Sequence, residues 1–317
     1  MPALTLKKRF DLKRFFQGER PVDGPITLTH RRIFIVPNRR GLGMSLLLLL
    51  LWMTSINYGN NLGFILTFLL VAVSTQGMLH CYRNLSGLSI RPKPSPPVFA
   101  GGVARLELSV ANARPLARYS VWFRCRSAEP VRADISAEAT ATPTLGIRAE
   151  RRGWLEPGTV RVYTEFPLGL FYAWSLLNFR ERILVYPQPA ATPLAFPVTS
   201  GYGSAHRQRD SNDDFHGFQA YQAGDPLRHI HWKGVAKGHD PVIKRYAGGE
   251  TDDLALTFET TPGGDTESRL SRLCRWIIDA ESAGMRYSLS LPGARIASGS
   301  GSAHSRRCLE ALALFGL

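Results

Sequence analysis

Charge is missing where a folded soluble chain would need it: residues 44–81 contain no Lys, Arg, Asp or Glu. Cysteine is scarce as well. The four thiols, Cys81, Cys125, Cys274 and Cys308, are far apart and form no CxxC pair, which excludes a zinc ribbon and a dense disulfide framework. The chain also lacks a phosphate-cradling Walker loop, a GxSxG elbow and an HExxH zinc helix. Acids are the minority charge, 25 against 39 Lys and Arg, for a formal net charge of +14.

The uncharged stretch divides into two apolar runs, residues 44–56 and 62–79, around Asn-Tyr-Gly-Asn-Asn at 57–61. The first run includes six consecutive leucines. With their uncharged flanks the runs approach the ~20 residues that a membrane-spanning helix needs, and the intervening residues have turn chemistry. A hairpin of two spans over 44–82 is therefore expected. Residues 1–43 hold ten Lys or Arg against three acids, a net +7, and Arg83, Arg91 and Lys93 follow the second run. Because the connecting turn has no such charge, the positive-inside bias places both flanks, and both termini, in the cytoplasm of a bacterial inner-membrane protein. A basic segment beside a span is attracted to anionic headgroups, so membrane lipid is the first expected partner. Residues 4–16 mix aromatic and basic types, as an interfacial helix or a basic tail would.

Beyond the spans the pattern changes. Residues 91–97 (RPKPSPP) read as an extended linker. Short alternating segments then recur at 103–110, 119–125, 133–137, 146–150, 159–164 and 183–186, divided by Gly, Pro and Asn. For residues 83–190 this predicts a small antiparallel β-sandwich, with a closed barrel as the alternative. Toward the C-terminus the order is strand (253–259), helix (267–283), strand (286–291) and helix (302–315), which argues a short α/β region over 251–317 with parallel strands. Leu270, Leu273, Trp276, Ile277 and Ala280 repeat at three and four in its first helix. The fold class expected is thus α+β.

Residues 191–250 are the least regular and the most chemically loaded. Asp213, Asp214, Asp225, His229, His231, Trp232, Lys233, Lys244 and Arg245 fall close together there. His229 and His231, with Asp214 and Asp225, supply ligand types for a metal-dependent hydrolase, although no third ligand has diagnostic spacing. Interleaved basic and aromatic residues also suit a nucleic-acid binder. The acidic pair and the adjoining spans oppose that second reading, so nucleic acid is not an expected partner.

The same string, DDFHGFQAYQAGDPLRHIHWKGVAK with PVIKRY after it, resembles the signature of the family called domain of unknown function 58. The matching positions are Asp214, Phe215, Tyr221, Gly224, Asp225, Arg228, Ile230, Trp232, Lys237 and Lys244, with Lys233 following the Trp. Segments 166–175 (FPLGLFYAWS) and 183–189 (ILVYPQP) are similar to two further stretches of that family. Gln219 departs from the Arg common before the Tyr. The resemblance implies a von Willebrand A-like C-terminal region, here without the DxSxS metal motif, since its first strand ends Phe258-Glu259-Thr260-Thr261. It further implies a non-enzymatic adaptor without cofactor, working with a MoxR-type AAA+ ATPase and a transglutaminase-like membrane protein. Asp214, Phe215, Tyr221, Gly224, Asp225, Arg228, Trp232, Lys233 and Lys244 would form its signature or docking surface.

Overall fold

Two asparagines set where the apolar helices begin. Asn38 Oδ1 accepts from the amides of Arg40 and Gly41, both at 3.0 Å, and opens helix α1 (Arg39–Asn57). Asn60 Oδ1 does the same for Leu62 and Gly63 at 3.1 and 3.2 Å, opening α2 (Asn61–Leu85). Each satisfies amides that a helix start leaves without a partner. The computed structural model describes residues 21, 24–125, 128–191, 195–197, 215–220, 242–246 and 253–316. The interfacial segment expected over 4–16 lies outside them.

At 1.5 Å per residue the two helices run for roughly 28 and 37 Å, against a hydrocarbon core of about 30 Å. They are long and apolar enough to cross a membrane, and only 11% of each apolar window is buried by the rest of the chain. Leu46, Leu50, Met53, Ile65, Phe68 and Leu69 are among the large apolar residues left exposed. A core helix of a soluble protein would be covered. Ser45, Thr54, Ser55, Thr67 and Thr75 each donate to the carbonyl four residues earlier, at 2.7–2.9 Å, so these hydroxyls need no water. Where the helices meet, small residues allow close approach: a Cβ on Gly63 would overlap the Ser55 hydroxyl, and Ser55 and Thr67 are buried.

By residue contacts the chain forms two units, residues up to 188 with 312–317, and residues 189–311. In the first, strands flank the hairpin on both sides in sequence. Strands β1 (Ile26–Thr27) and β2 (Phe34–Pro37) precede it. After it come β3 (Leu88–Pro92), β4 (Val98–Phe99), β5 (Val103–Asn112), β6 (Arg118–Cys125), β7 (Val131–Ile135) and β8 (Thr140–Ala141). They are followed by β9 (Thr144–Arg148), β10 (Gly153–Leu155), β11 (Thr159–Thr164), β12 (Phe171–Asn178) and β13 (Ile183–Tyr186).

One sheet has the order β1-β3-β5-β8, with β9 also on β5; a second runs β2-β12-β11-β6-β7. All pairs in both are antiparallel. A smaller sheet, β10-β13-β4, contains the one parallel pair described in this unit, β13 with β4. In β5 buried residues alternate with less buried ones, as a period of two requires. Leu88, Ile90, Leu106 and Leu108 of the first sheet and Val121, Phe123, Val160 and Val162 of the second join one hydrophobic cluster. Cys81 and Leu85 of α2 belong to that cluster too.

In the second unit β14 (Phe215–Ala220) and β15 (Val242–Tyr246) pair antiparallel. Then β16 (Leu254–Thr257) leads through α3 (Thr266–Ser282) to β17 (Tyr287–Leu291), parallel to β16. Asp265 caps α3 by accepting from the Ser268 amide at 3.4 Å, and the five apolar residues spaced at three and four are all buried. A further strand, β18 (Ala294–Gly299), returns antiparallel to β17 before the closing helix α4 (Ser302–Leu314).

The mixed α+β class, with several antiparallel sheets and two long apolar helices, agrees with the sequence reading. Three particulars differ. Residues 26–37, read as part of a basic segment, supply β1 and β2. The linker expected at 91–97 begins inside β3. Strand β18 has no counterpart in the periodicity argument, yet Pro292-Gly293, with Gly293 at φ +87°, is the turn that makes it.

Phe123→Ala, which empties a fully buried ring site in the shared cluster, is expected to cost about 3–5 kcal/mol. Val103→Ala, at a position 54% exposed, should change little. Urea unfolding of the detergent-solubilised full chain separates the two by their midpoints.

Candidate functional site

The C-terminus of α2 enters the β-rich unit, and a buried arginine receives it. Arg118, on β6, is 2% exposed. Its Nη1 donates to the Arg83 carbonyl, its Nη2 to the Ser86 carbonyl at 3.2 Å, and its Nε to Asn112 Oδ1 at 3.4 Å. The last carbonyls of a helix have no intrahelical donor and lie at the negative end of its dipole, so a guanidinium fork suits them in geometry and charge. Burial, and after it the charges of Arg114 and Arg83, lowers the Arg118 pKa from its ordinary value.

Asn84 secures the same helix end from the other side. It is 4% exposed, donates through Nδ2 to the Tyr119 carbonyl at 2.7 Å and Thr164 Oγ1 at 2.9 Å, and accepts from the Tyr119 amide at 3.1 Å. Asn112 holds Arg118 in turn, giving its own amide hydrogens to Leu116 and Ser136 carbonyls at 2.8 and 3.0 Å. A helix end, β6 and β11 thus share one satisfied polar network inside an apolar core, the condition under which buried polar groups are tolerated.

The loop between β11 and β12 fits against both helices. Asn38 Nδ2 donates to the Gly169 carbonyl at 2.8 Å, and the Asn38 amide donates to the Leu170 carbonyl at 3.0 Å. A Cβ on Gly41 would overlap Leu170 O, and one on Gly77 would lie 2.6 Å from Leu168 Cδ1. Two glycines on the helices therefore admit one loop. Beside it opens a groove of about 470 Å³, lined by Arg40, Trp122, Tyr163, Glu165, Phe166 and Gly169 among others. An aromatic row continues from it over the second sheet. Trp122 stacks with Tyr163 at 6.2 Å, Tyr163 meets Tyr172 at 5.3 Å, Tyr172 meets Trp174 at 5.4 Å, and Trp174 meets Phe34 at 5.7 Å.

Of the residues expected from the signature, Phe215 lies on β14 and Lys244 on β15. Their ladder pairs Phe215 with Tyr246 and Lys244 with Phe218, with a bulge between Phe215 and Gly217. The two ends of the segment are thereby brought side by side. Asp214, Tyr221, Gly224, Asp225, Arg228, Trp232 and Lys233 lie outside the described residues, as do His229 and His231. Among the described residues no group of three His, Cys, Asp or Glu is placed to hold a metal ion.

One thiol stands beside an imidazole. Cys308 Sγ is 3.6 Å from His304 Nε2, and the same nitrogen is 2.8 Å from the Tyr287 carbonyl. A carbonyl only accepts, so Nε2 carries the proton and has no lone pair with which to deprotonate the thiol. Burial pushes Cys308 up to about 11 and Cys274 up to about 12. Neither thiol is an activated nucleophile.

Sequence reasoning did not single out Arg118, Asn84 or Asn112. The available signal was an Arg and an Asn interrupting apolar segments, and an Asn just past an uncharged run.

Arg118→Met leaves the buried Ser86 carbonyl without its donor, at about 1–3 kcal/mol, and the part-buried Arg83 carbonyl at less. Arg118→Lys should not rescue it, because a single ammonium lacks the fork. Thermal unfolding checks the loss, and faster proteolysis near residue 86 locates it. For the thiols, native protein near pH 8 should leave Cys274 and Cys308 unlabelled by a thiol reagent, and denaturant should expose both. Their folded values lie above the ordinary 9.0, so the stability they contribute is whole below about pH 9 and is lost as pH rises through 11–12. Compared with protein-family models and with curated proteins, the chain matches none of them.

Proposed function

We propose that this chain is a bacterial inner-membrane adaptor whose two helices anchor a cytoplasmic body, in a complex with a MoxR-type AAA+ ATPase and a transglutaminase-like membrane protein. The observation that carries the membrane reading is the hairpin itself: two helices of spanning length, 11% buried, with their hydroxyls bonded to their own backbone. In lipid, every such group must find its partner within the protein.

Sheet pairing supports a same-side topology. β1 and β2 come before the helices, while their partners β3 and β12 come after them. Two spans between paired strands return the chain to the side it left. Arg39, Arg40 and Arg83 stand at those helix ends, and the turn at Tyr58–Asn60 carries no charge, which favours the cytoplasm for the body.

Kinship by signature supports the adaptor role. The string from Asp214 to Lys244 resembles domain of unknown function 58, and Asp214, Phe215, Tyr221, Gly224, Asp225, Arg228, Trp232, Lys233 and Lys244 form the docking surface in this reading. The β16–α3–β17 crossover with parallel strands is the element that favours a von Willebrand A-like C-terminal region.

A crosslinked pull-down of the tagged full chain from bacterial membranes, with and without ATP, is the test. Recovery of an AAA+ ATPase, lost in Asp225→Ala or Arg228→Ala variants that keep the wild-type unfolding temperature, is the expected result. Recovery of no ATPase in either condition would sink the adaptor reading.

A further inference from the structure

The groove beside the β11–β12 loop lies where α1 changes from charged to uncharged sequence. Arg39 and Arg40 occupy its first turn, and no charged residue follows until Arg83. In the membrane reading, on which this inference rests, that level is the headgroup layer. The groove's lining is bipolar and aromatic at once. Arg40 reaches over the loop, with its Nη1 3.4 Å from where a Gly169 Cβ would stand. Glu165 lies on the same lining with Trp122, Tyr163 and Phe166. Among the described residues neither Arg40 nor Glu165 forms an ion pair. Tyr119, 48% exposed, extends the aromatic wall through its contact with Phe166 at 5.4 Å.

A cation, an acid and aromatic faces in one groove match a ligand that carries both charges. We infer that the groove binds the phosphoethanolamine headgroup of a membrane phospholipid, with phosphate on Arg40 and ammonium between Glu165 and the rings of Trp122 and Tyr163. Arginine takes phosphate oxygens through its planar fork. Ring faces attract a cation, and do so more strongly once water is excluded. The volume, about 470 Å³, falls within the ~300–1,000 Å³ usual for small-ligand sites.

The acid is what makes the choice specific. A primary ammonium donates hydrogen bonds to Glu165, whereas the trimethylammonium of phosphatidylcholine has no N–H to give. Phosphatidylglycerol offers phosphate without any cation, so Glu165 repels it. A basic patch alone would rank these lipids by negative charge; this groove ranks them by the amine.

The test uses the detergent-solubilised full chain with phosphatidylethanolamine, phosphatidylcholine and phosphatidylglycerol of matched acyl chains, read by native mass spectrometry. The expected result is a preference for phosphatidylethanolamine of about tenfold over each of the others, the scale of one charge-assisted hydrogen bond. Glu165→Gln should abolish that preference while phosphatidylcholine binding persists. Arg40→Gln should weaken all three lipids together. Equal binding of the three, tighter phosphatidylglycerol, or a preference unchanged in Glu165→Gln overturns the proposal. So does free glycerophosphoethanolamine binding as tightly as the lipid, which would assign the groove to a soluble ligand. Alkaline carbonate extraction of native membranes is run alongside. A chain stripped by carbonate overturns the membrane reading; a chain that stays but treats the lipids alike overturns the headgroup proposal only.

Discussion

A single guanidinium, Arg118, joins the part of this protein that avoids water to the part that depends on it. The second apolar helix ends against a β-rich core, where its last carbonyls have no further turn to bond them. Arg118 supplies the donors, Asn84 ties the helix to the Tyr119 backbone and to Thr164, and Asn112 holds the arginine. Leu85 and Cys81 then fill the cluster in which the two large sheets meet. The hairpin is therefore set into the core rather than tethered by a flexible linker, and the orientation of the β-rich unit follows from that of the helix.

The loop between β11 and β12 makes the corresponding joint for the first helix. Its Gly169 and Leu170 carbonyls accept from Asn38, and its Leu168 lies against Gly77. Bare backbone at Gly41 is needed for the approach, because a Cβ there would run into the Leu170 carbonyl, whereas one at Gly77 would have to turn the Leu168 side chain aside. Most of the loop falls within FPLGLFYAWS, residues 166–175, so this stretch has a physical task in seating the helices.

What could be read from sequence followed from strong, local signals. Six leucines in a row, an uncharged stretch and a three-and-four spacing each leave one economical solution, and α1, α2 and α3 form accordingly. The sheets were legible where burial alternates, as in β5, or where a short apolar run is bounded by turn residues, as in β13. β12 has five buried residues in succession, a pattern that period-two reasoning passes over. β1 and β2 were hidden by a charge count, which says nothing about two short apolar runs within a basic region. The junction was illegible for a different reason: Asn84 is remote in sequence from Arg118 and Asn112, and only folding shows that all three meet at one helix end.

The order of strands around the hairpin bears on how the chain is made. β1 and β2 leave the ribosome before the helices, yet each is an edge strand whose partner, β3 or β12, is synthesised after them. Neither large sheet can close until the hairpin has been delivered and the chain has come back. For that interval two short strands wait unpaired, and the basic residues around them, Arg31 and Arg32 included, are the kind of charge that discourages stray edge-to-edge association. Completion of the β-rich unit thereby waits for the chain beyond the helices, and in the membrane topology proposed above a hairpin with its ends on opposite sides would keep β1 and β2 from β3 and β12.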